Sequence, residues 1–244
     1  MENDFKSLEK KRKGFEKFSD SNKKKKIFAI IPVYNEEKYL KEVIEKTKKY
    51  VDEIIVVDDA SSDLSSKIAK ENGARVIRHV VNLGLGASLK TGCDAALKLG
   101  ADIIITLDGD GQHDPDEIPK LLKKFNEEKL DIVFGERCFD ENMPFVKKTG
   151  NKFFDKFSKK LFNTKLKDTQ TGFRVFSSET YKKIRWESSD YAVASEILIN
   201  IERKKLNYGS EKIKTIYHDN HKGTTIIDGI KIANKMLNLK FNKK

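Results

Sequence analysis

Five short apolar runs in the first 134 residues alternate with stretches of helical periodicity, and this alternation most constrains the fold. The runs lie at Ile27–Val33, Glu53–Val57, Arg75–His79, Ile103–Leu107 and Ile132–Phe134. Strands that alternate with helices of 10–15 residues form a parallel sheet covered by helices on both faces. The sequence therefore predicts an α/β fold with a doubly wound, mostly parallel sheet.

The first helices are predicted to begin at polar residues that cap backbone N–H groups. Asn35 precedes Glu36 and Glu37, and either Ser61 or Ser62 is in position to open the second helix. Asp114 is followed by Pro115 and Glu117, which together predict a capping box. Further along, the pattern predicts a basic amphipathic segment at 145–162, a helix near 191–206 and a strand near 211–217.

The positive charge is concentrated in a few segments, which divides the chain into three parts. The 49 Lys and Arg outnumber the 38 Asp and Glu, for a net charge of +11, and residues 1–26 and 231–244 contribute +5 each. We interpret 1–26 as a flexible basic arm, 27–217 as one catalytic domain, and 218–244 as a basic loop with an amphipathic helix. The near-neutral remainder argues against a nucleic-acid-binding protein.

Cysteine content and hydropathy indicate the cellular compartment that the chain suits. The two cysteines, Cys93 and Cys138, lie far apart, which excludes a disulfide scaffold and a cysteine-built metal site. No apolar run approaches the roughly 18 residues of a membrane-spanning helix, and the charged N-terminus is not a secretory signal. We therefore expect a cytoplasmic protein, either free or peripheral on a membrane surface.

The motif Asp108-Gly109-Asp110-Gly111-Gln112 follows the fourth predicted strand. Two carboxylates one residue apart at a strand end can reach the same divalent cation, and Gln112 adds a neutral oxygen. Hard oxygen ligands of this kind suit Mg²⁺ or Mn²⁺, with a substrate phosphate completing the shell. The alternative is an acidic turn that only caps the following helix.

Other polar clusters follow neighbouring strands and are expected at the same edge of the sheet. Asp58 and Asp59 are suited to a ribose or base, or else only to helix capping. Arg137 and the segment 168–174, which contains Asp168 and Arg174, are suited to an anion, or else to surface ion pairs. The Gly-containing segment 82–87 lacks the third glycine of a dinucleotide fingerprint and is interpreted as a tight turn near the donor phosphates.

Six motifs, in order and at the expected spacing, resemble the family-2 inverting glycosyltransferases of the GT-A fold. Within that family they are most similar to the polyprenyl- and dolichyl-phosphate hexosyltransferases. The motifs are Ile31–Glu37, Val57–Ser61, Asn82–Ala87, Leu107–His113, Gly135–Arg137 and Gly172–Arg174.

The resemblance implies a nucleotide-sugar donor and a Mg²⁺ or Mn²⁺ cofactor. It places the metal and the donor diphosphate on Asp108, Asp110 and Gln112, with Gly109 beside the donor and Arg137 beside the phosphates. The residues that it implies for the nucleoside are Pro32, Tyr34, Glu36, Val57 and Asp59. Asn220 and Ile226 depart from the basic residues of the mannose-transferring members, so UDP-glucose, GDP-mannose and similar donors stay open.

The implied acceptor is a polyprenyl phosphate, whose phosphate group needs no general base at neutral pH. An alternative acceptor is a polysaccharide or protein hydroxyl, for which Asp168 or Glu196 would be the candidate base. Asp110, Arg137 and Arg174 are the other candidate catalytic residues. The expected partners are a membrane surface and a membrane protein, but not a nucleic acid.

Overall fold

The computed structural model describes residues 24–137, 166 and 168–216, and its central feature is a seven-stranded sheet. The strands are β1 (Ile27–Val33), β2 (Glu53–Asp58), β3 (Arg75–Arg78), β4 (Ile103–Thr106), β5 (Ile132–Arg137), β6 (Arg174–Ser177) and β7 (Tyr208–Ile213). The helices are α1 (Leu40–Thr47), α2 (Ser65–Glu71), α3 (Leu85–Lys98), α4 (Ile118–Glu127), α5 (Ser178–Ile184) and α6 (Val193–Lys204). Three predicted segments, 1–23 of the basic arm, 145–162 and 218–244, lie outside the described residues.

The strand order is β3-β2-β1-β4-β6-β5-β7, and only β6 runs antiparallel to its neighbours. The predicted mostly parallel α/β sheet is therefore confirmed. Strand β6 and helix α5 were not predicted, because a four-residue strand that opens on Arg174 offers little apolar periodicity. The insertion of β6 between β4 and β5 brings the segment before it against the carboxyl end of β4.

Both faces of the sheet are buried, which explains why its strands are continuous apolar runs. One layer packs α3, α5 and α6 on side chains such as Ile30 and Val57. The opposite layer packs α1, α2 and α4 on the alternate side chains, such as Ile31 and Val56. No helix in the described part of the chain is long and apolar enough to cross a membrane.

The predicted helix starts at Asn35 and at Ser61 or Ser62 are wrong. Asn35 has a left-handed backbone (φ 58°), and its side-chain oxygen accepts a hydrogen bond from Ser62 N at 2.8 Å. Ser61 Oγ accepts from Asn35 N at 3.0 Å, so these polar side chains join two neighbouring loops instead of capping helices. Helix α1 begins at Leu40 and α2 at Ser65.

The later boundaries differ less from the prediction. Asp114 caps a short 3₁₀ turn by accepting from Asp116 N, with Pro115 at its first position, and α4 continues from that turn. Glu117 Oε1 accepts from Lys214 N at 3.2 Å, so its carboxylate joins this turn to the residue after β7. Strand β7 begins three residues before the predicted position.

Asp58 is a buried carboxylate that stabilises the end of β2. Its oxygens accept from Ser61 N at 2.8 Å, from Arg78 Nη1 at 2.8 Å and from the Ser66 hydroxyl. Burial would raise the pKa of Asp58, but these hydrogen bonds and the charge of Arg78 outweigh burial and lower it. The structure thus gives Asp58 a folding role, which the sequence left as one of two alternatives.

We expect Asp58→Asn to lower the free energy of unfolding at neutral pH by roughly 2–4 kcal/mol, because it removes a buried, multiply bonded charge. Folding lowers the pKa of Asp58, so its ionised carboxylate stabilises the protein fully above the unfolded pKa of about 3.9. This contribution is lost as pH falls through the folded pKa. Urea unfolding of both proteins at pH 7 and pH 3 measures the difference. An equal difference at both pH values would contradict the role of the charge.

Candidate active site

Asp108 lies just beyond β4, where the antiparallel β6 brings the segment 168–174 beside it. Thr106 pairs with Arg174 in the sheet, and Thr106 Oγ1 donates to Gly172 O at 2.6 Å. A Cβ on Gly172 would lie 2.5 Å from both carboxylate oxygens of Asp108. Only glycine at this position leaves the carboxylate its space.

The Asp108 carboxylate accepts no hydrogen bond from the residues that the structure describes. Burial raises its pKa, although Arg174 and Arg137 oppose the increase. His113 Nδ1 is 3.4 Å from Asp108 Oδ2, but the Asp108 N–H also points at this nitrogen at 3.4 Å. Burial lowers the pKa of His113 to about 4, so at neutral pH the ring is uncharged. The contact from the Asp108 N–H fits the tautomer in which Nδ1 accepts.

Asp110 and Gln112 form a hydrogen-bonded pair beside Asp108. Gln112 N donates to Asp110 Oδ1 at 2.9 Å, and Gln112 Nε2 donates to Asp110 Oδ2 at 2.5 Å. Because the amide nitrogen of Gln112 faces Asp110, its carbonyl oxygen is directed elsewhere. The pair adds a second carboxylate and an amide oxygen to the polar end of β4.

The donor set at this end fits a hard divalent cation. It contains two carboxylates and an amide oxygen, and the partly exposed Asp108 carboxylate has no described hydrogen-bond donor to offset its charge. Across residues 24–137, 166 and 168–216, no three or more His, Cys, Asp or Glu side chains converge on one point. Waters or the oxygens of a bound ligand would complete the coordination shell.

Arg137 is fixed beside this cluster by Asp168. Its Nε and Nη2 donate to Asp168 Oδ2 at 2.6 Å and Oδ1 at 3.0 Å, a bidentate geometry with a buried carboxylate. Gln170 N donates to Asp168 Oδ1 at 3.2 Å. The main role that the contacts give Asp168 is to orient Arg137 at the edge of the sheet.

Arg174 is a buried guanidinium without a described hydrogen-bond partner. The residue is 2% exposed, its Nε is enclosed and unpaired, and its Cζ lies 6.0 Å from the centre of the Phe134 ring. Burial lowers its pKa to about 10, against the opposing charges of Asp108 and Asp168. The group stays cationic at neutral pH, so it supplies a positive charge with an unpaired Nε donor.

Two further polar atoms near Arg174 are buried and unpaired, Thr169 Oγ1 and Gln170 Nε2. Sequence reasoning identified their motif but did not select them as site residues. Their burial was the missing signal, since the sequence does not reveal which polar side chains lack partners. The segment 168–174 thus contains three buried polar atoms without a hydrogen-bond partner among the described residues.

The predicted nucleoside-binding residues lie around the carboxyl ends of β1 and β2. Pro32 and Val57 are buried in these strands, whereas Tyr34 and Glu36 are in the loop after β1, with Tyr34 51% exposed. Gly109, within the acidic motif, lies against the last residue of β1. A Cβ on Gly109 would be 3.0 Å from Val33 Cγ2.

Asp59 and Glu196 lie apart from the acidic cluster in the contacts that the structure describes. Asp59 is 4% exposed and accepts from Leu83 N, Gly84 N and the His79 ring. Glu196, on α6, is 8% exposed and accepts from two backbone N–H groups. The other predicted catalytic residues, Asp110, Asp168 and both arginines, are brought together.

Comparison with known proteins identifies this arrangement. The model of the family described as glycosyl transferase family 2 matches residues 28–185. The chain belongs to glycosyl transferase family 2. An uncharacterised protein of Methanocaldococcus jannaschii is 39% identical over 223 residues, which cover 88% of this chain and 92% of that protein.

A second relative has a named activity. The UDP-N-acetylglucosamine–dolichyl-phosphate N-acetylglucosaminyltransferase of Methanococcus voltae is 36% identical over 245 residues, covering 90% of this chain and 98% of that protein. The chain is therefore a family-2 glycosyltransferase with a relative named for a dolichyl-phosphate acceptor.

Solved structures confirm the GT-A fold. Glucosyl-3-phosphoglycerate synthase of Mycobacterium tuberculosis, crystallised with Mn²⁺, UDP-glucose and phosphoglyceric acid, superposes with a TM-score of 0.72 over 97% of this chain and 84% of that protein. The sequences are 19% identical, so this likeness concerns the fold alone.

Proposed function

We propose that this family-2 glycosyltransferase moves a hexose or related sugar from a nucleotide sugar to a polyprenyl or dolichyl phosphate, with inversion at the anomeric carbon. The observation that carries the proposal is Arg174, a buried guanidinium beside Asp108 whose Nε has no hydrogen-bond partner among the described residues. A buried charge without a hydrogen-bond partner is costly, and an anionic ligand is the natural group to supply one. The relative named for dolichyl phosphate supports a lipid phosphate as that anion.

The acceptor phosphate is the nucleophile in this proposal. Its second pKa is about 6, so at neutral pH it is mostly a dianion and needs no residue to remove a proton. Arg137 and Arg174 bind and orient it. A hydroxyl acceptor would require a base, for which Asp168 and Glu196 are the candidates. Both already accept hydrogen bonds within the protein, Asp168 from Arg137 and Glu196 from backbone N–H groups.

The donor is held across the ends of β1, β2 and β4. Pro32, Tyr34, Glu36, Val57, Asp59 and Gly109 form the nucleoside side of this site. Asp108, Asp110 and Gln112 would hold Mg²⁺ or Mn²⁺ at the diphosphate. When bound, such an ion neutralises phosphate charge and stabilises the departing nucleoside diphosphate. Attack from the face opposite the diphosphate gives inversion in a single displacement.

A lipid acceptor implies that the enzyme works at a membrane, and we propose peripheral association with its cytoplasmic face. The basic segments that suggest this from the sequence, 145–162 and 218–244, lie outside the described residues. Vesicle sedimentation of the full chain and of a variant truncated after residue 225 tests the second segment. Equal binding by both proteins would remove residues 226–244 from the proposal.

The direct test is a transfer assay with purified protein, Mn²⁺ or Mg²⁺, a short polyprenyl phosphate and a panel of UDP- and GDP-sugars. We expect nucleoside diphosphate release that requires the lipid phosphate, and a glycolipid of the corresponding mass. The unphosphorylated polyprenol is the matched control and should support no release. Release that does not depend on the lipid phosphate would contradict the proposed acceptor and favour a hydroxyl acceptor.

A further inference from the structure

Residues 187–190, here called the strap, lie across the N-terminal end of α3 and contact it through backbone atoms. Ser189 O accepts from Ala87 N at 3.0 Å. A Cβ on Gly84 would lie 2.5 Å from Ser189 O, and one on Gly86 would lie 2.2 Å from Ser188 O. These glycines therefore make room for the strap.

Glu196 fixes the strap from the other side. Its Oε1 accepts from Glu187 N and its Oε2 from Ser188 N, both at 2.8 Å, and the side chain is buried within the domain. Next to the strap, Trp186 Nε1 donates to Gly86 O at 2.8 Å. One buried carboxylate thus determines where two consecutive peptide groups of the strap lie.

The loop under the strap is also attached to the donor side of the site. Asp59 accepts from Leu83 N at 2.8 Å and from Gly84 N at 2.7 Å. His79 Nδ1 lies 2.7 Å from Asp59 Oδ1, and His79 Nε2 lies 3.0 Å from Thr91 Oγ1 on α3. The loop 83–87 is consequently held between Asp59 and the strap.

We propose that Glu196 is a positioning residue for the donor, acting through the strap and the loop 83–87 on Asp59. This inference rests on the proposed nucleotide-sugar donor and on the place of Asp59 at its nucleoside. Glu196 is not the general base in this scheme, because both of its oxygens hold peptide N–H groups inside the domain. Loss of its carboxylate releases the strap and allows the loop and Asp59 to move.

Steady-state kinetics separates positioning from proton transfer. We expect Glu196→Ala to raise the donor KM about tenfold, with kcat at saturating donor within about twofold of the wild type. Glu196→Gln keeps one acceptor oxygen and should restore part of the effect, to about threefold. Glu202→Gln, an exposed change on the same helix, is the matched control and should leave both constants unchanged.

Hydrogen exchange provides a readout that needs no substrate. We expect peptides covering residues 83–89 to exchange faster in Glu196→Gln than in the wild type, while peptides covering α4 keep their protection. If Glu196→Ala does not fold, Glu196→Gln carries both measurements. Unchanged exchange at 83–89, or a loss of kcat at an unchanged donor KM, would overturn the proposal. If the wild type transfers no sugar from any donor, the proposed function fails, and exchange still decides whether Glu196 holds the strap.

Discussion

Replacing Asp110 with Asn should lower kcat/KM by about a thousandfold, roughly 4 kcal/mol of transition-state stabilisation. Asn has the same shape and can still accept from Gln112 N, which now bonds to Asp110 Oδ1 at 2.9 Å. The Gln112 amide can turn to accept from the new NH₂ group, so the local structure is expected to persist. What the substitution removes is the negative charge that a divalent cation and the donor diphosphate require.

The measurement is sugar transfer at increasing Mn²⁺ concentrations, with the thermal midpoint of each protein recorded alongside. We expect the midpoint to shift by no more than about 2 °C, since the change is isosteric and lies at the edge of the domain. Asp116→Asn is the control, because Asp116 is a partly exposed carboxylate that accepts from Tyr50 and lies outside the proposed site. Full activity of Asp110→Asn at saturating Mn²⁺ would count against the proposed ligand set.

The sequence predicts much of this fold because its parallel strands are buried on both faces. Short apolar runs such as Ile27–Val33 and Ile103–Leu107 favour interior strands, and the structure confirms both to within a residue. Strand β6 could not be predicted in this way, because it is short, begins with a charged residue and depends on long-range pairing with β4 and β5. Local periodicity contains no information about such pairing.

Capping residues mislead for a related reason. Asn35 and Ser61 have the side chains of helix caps, but they bond to each other's loops across 26 residues of sequence. The same limit applies to the candidate site, where the acidic motif is visible in the sequence but the state of each carboxylate is not. Asp108 has no described donor, whereas Asp59 and Glu196 are each held by backbone N–H groups.

Replacing Arg174 with Met should reduce sugar transfer at least about a hundredfold while changing the free energy of unfolding by less than about 1 kcal/mol. The described residues make no hydrogen bond to the guanidinium, so its removal breaks none among them, and Met fills a similar volume against Phe134. Asp168 keeps its bidentate bonds to Arg137. The guanidinium is therefore more important for binding an anion than for folding.

Urea unfolding of the substrate-free protein measures the stability change, and initial rates with varied polyprenyl phosphate measure the functional change. We expect the loss mainly in kcat/KM for the lipid phosphate, because Arg174 is proposed to bind the acceptor. Arg185→Met is the control, since Arg185 is about half exposed and pairs with Asp94 on α3. If Arg174→Met instead loses about 3 kcal/mol or more of stability, then Arg174 is a structural partner of Asp108 and the anion-binding role is wrong. A buried cation whose removal affects only catalysis is difficult to explain unless a ligand supplies its missing partners.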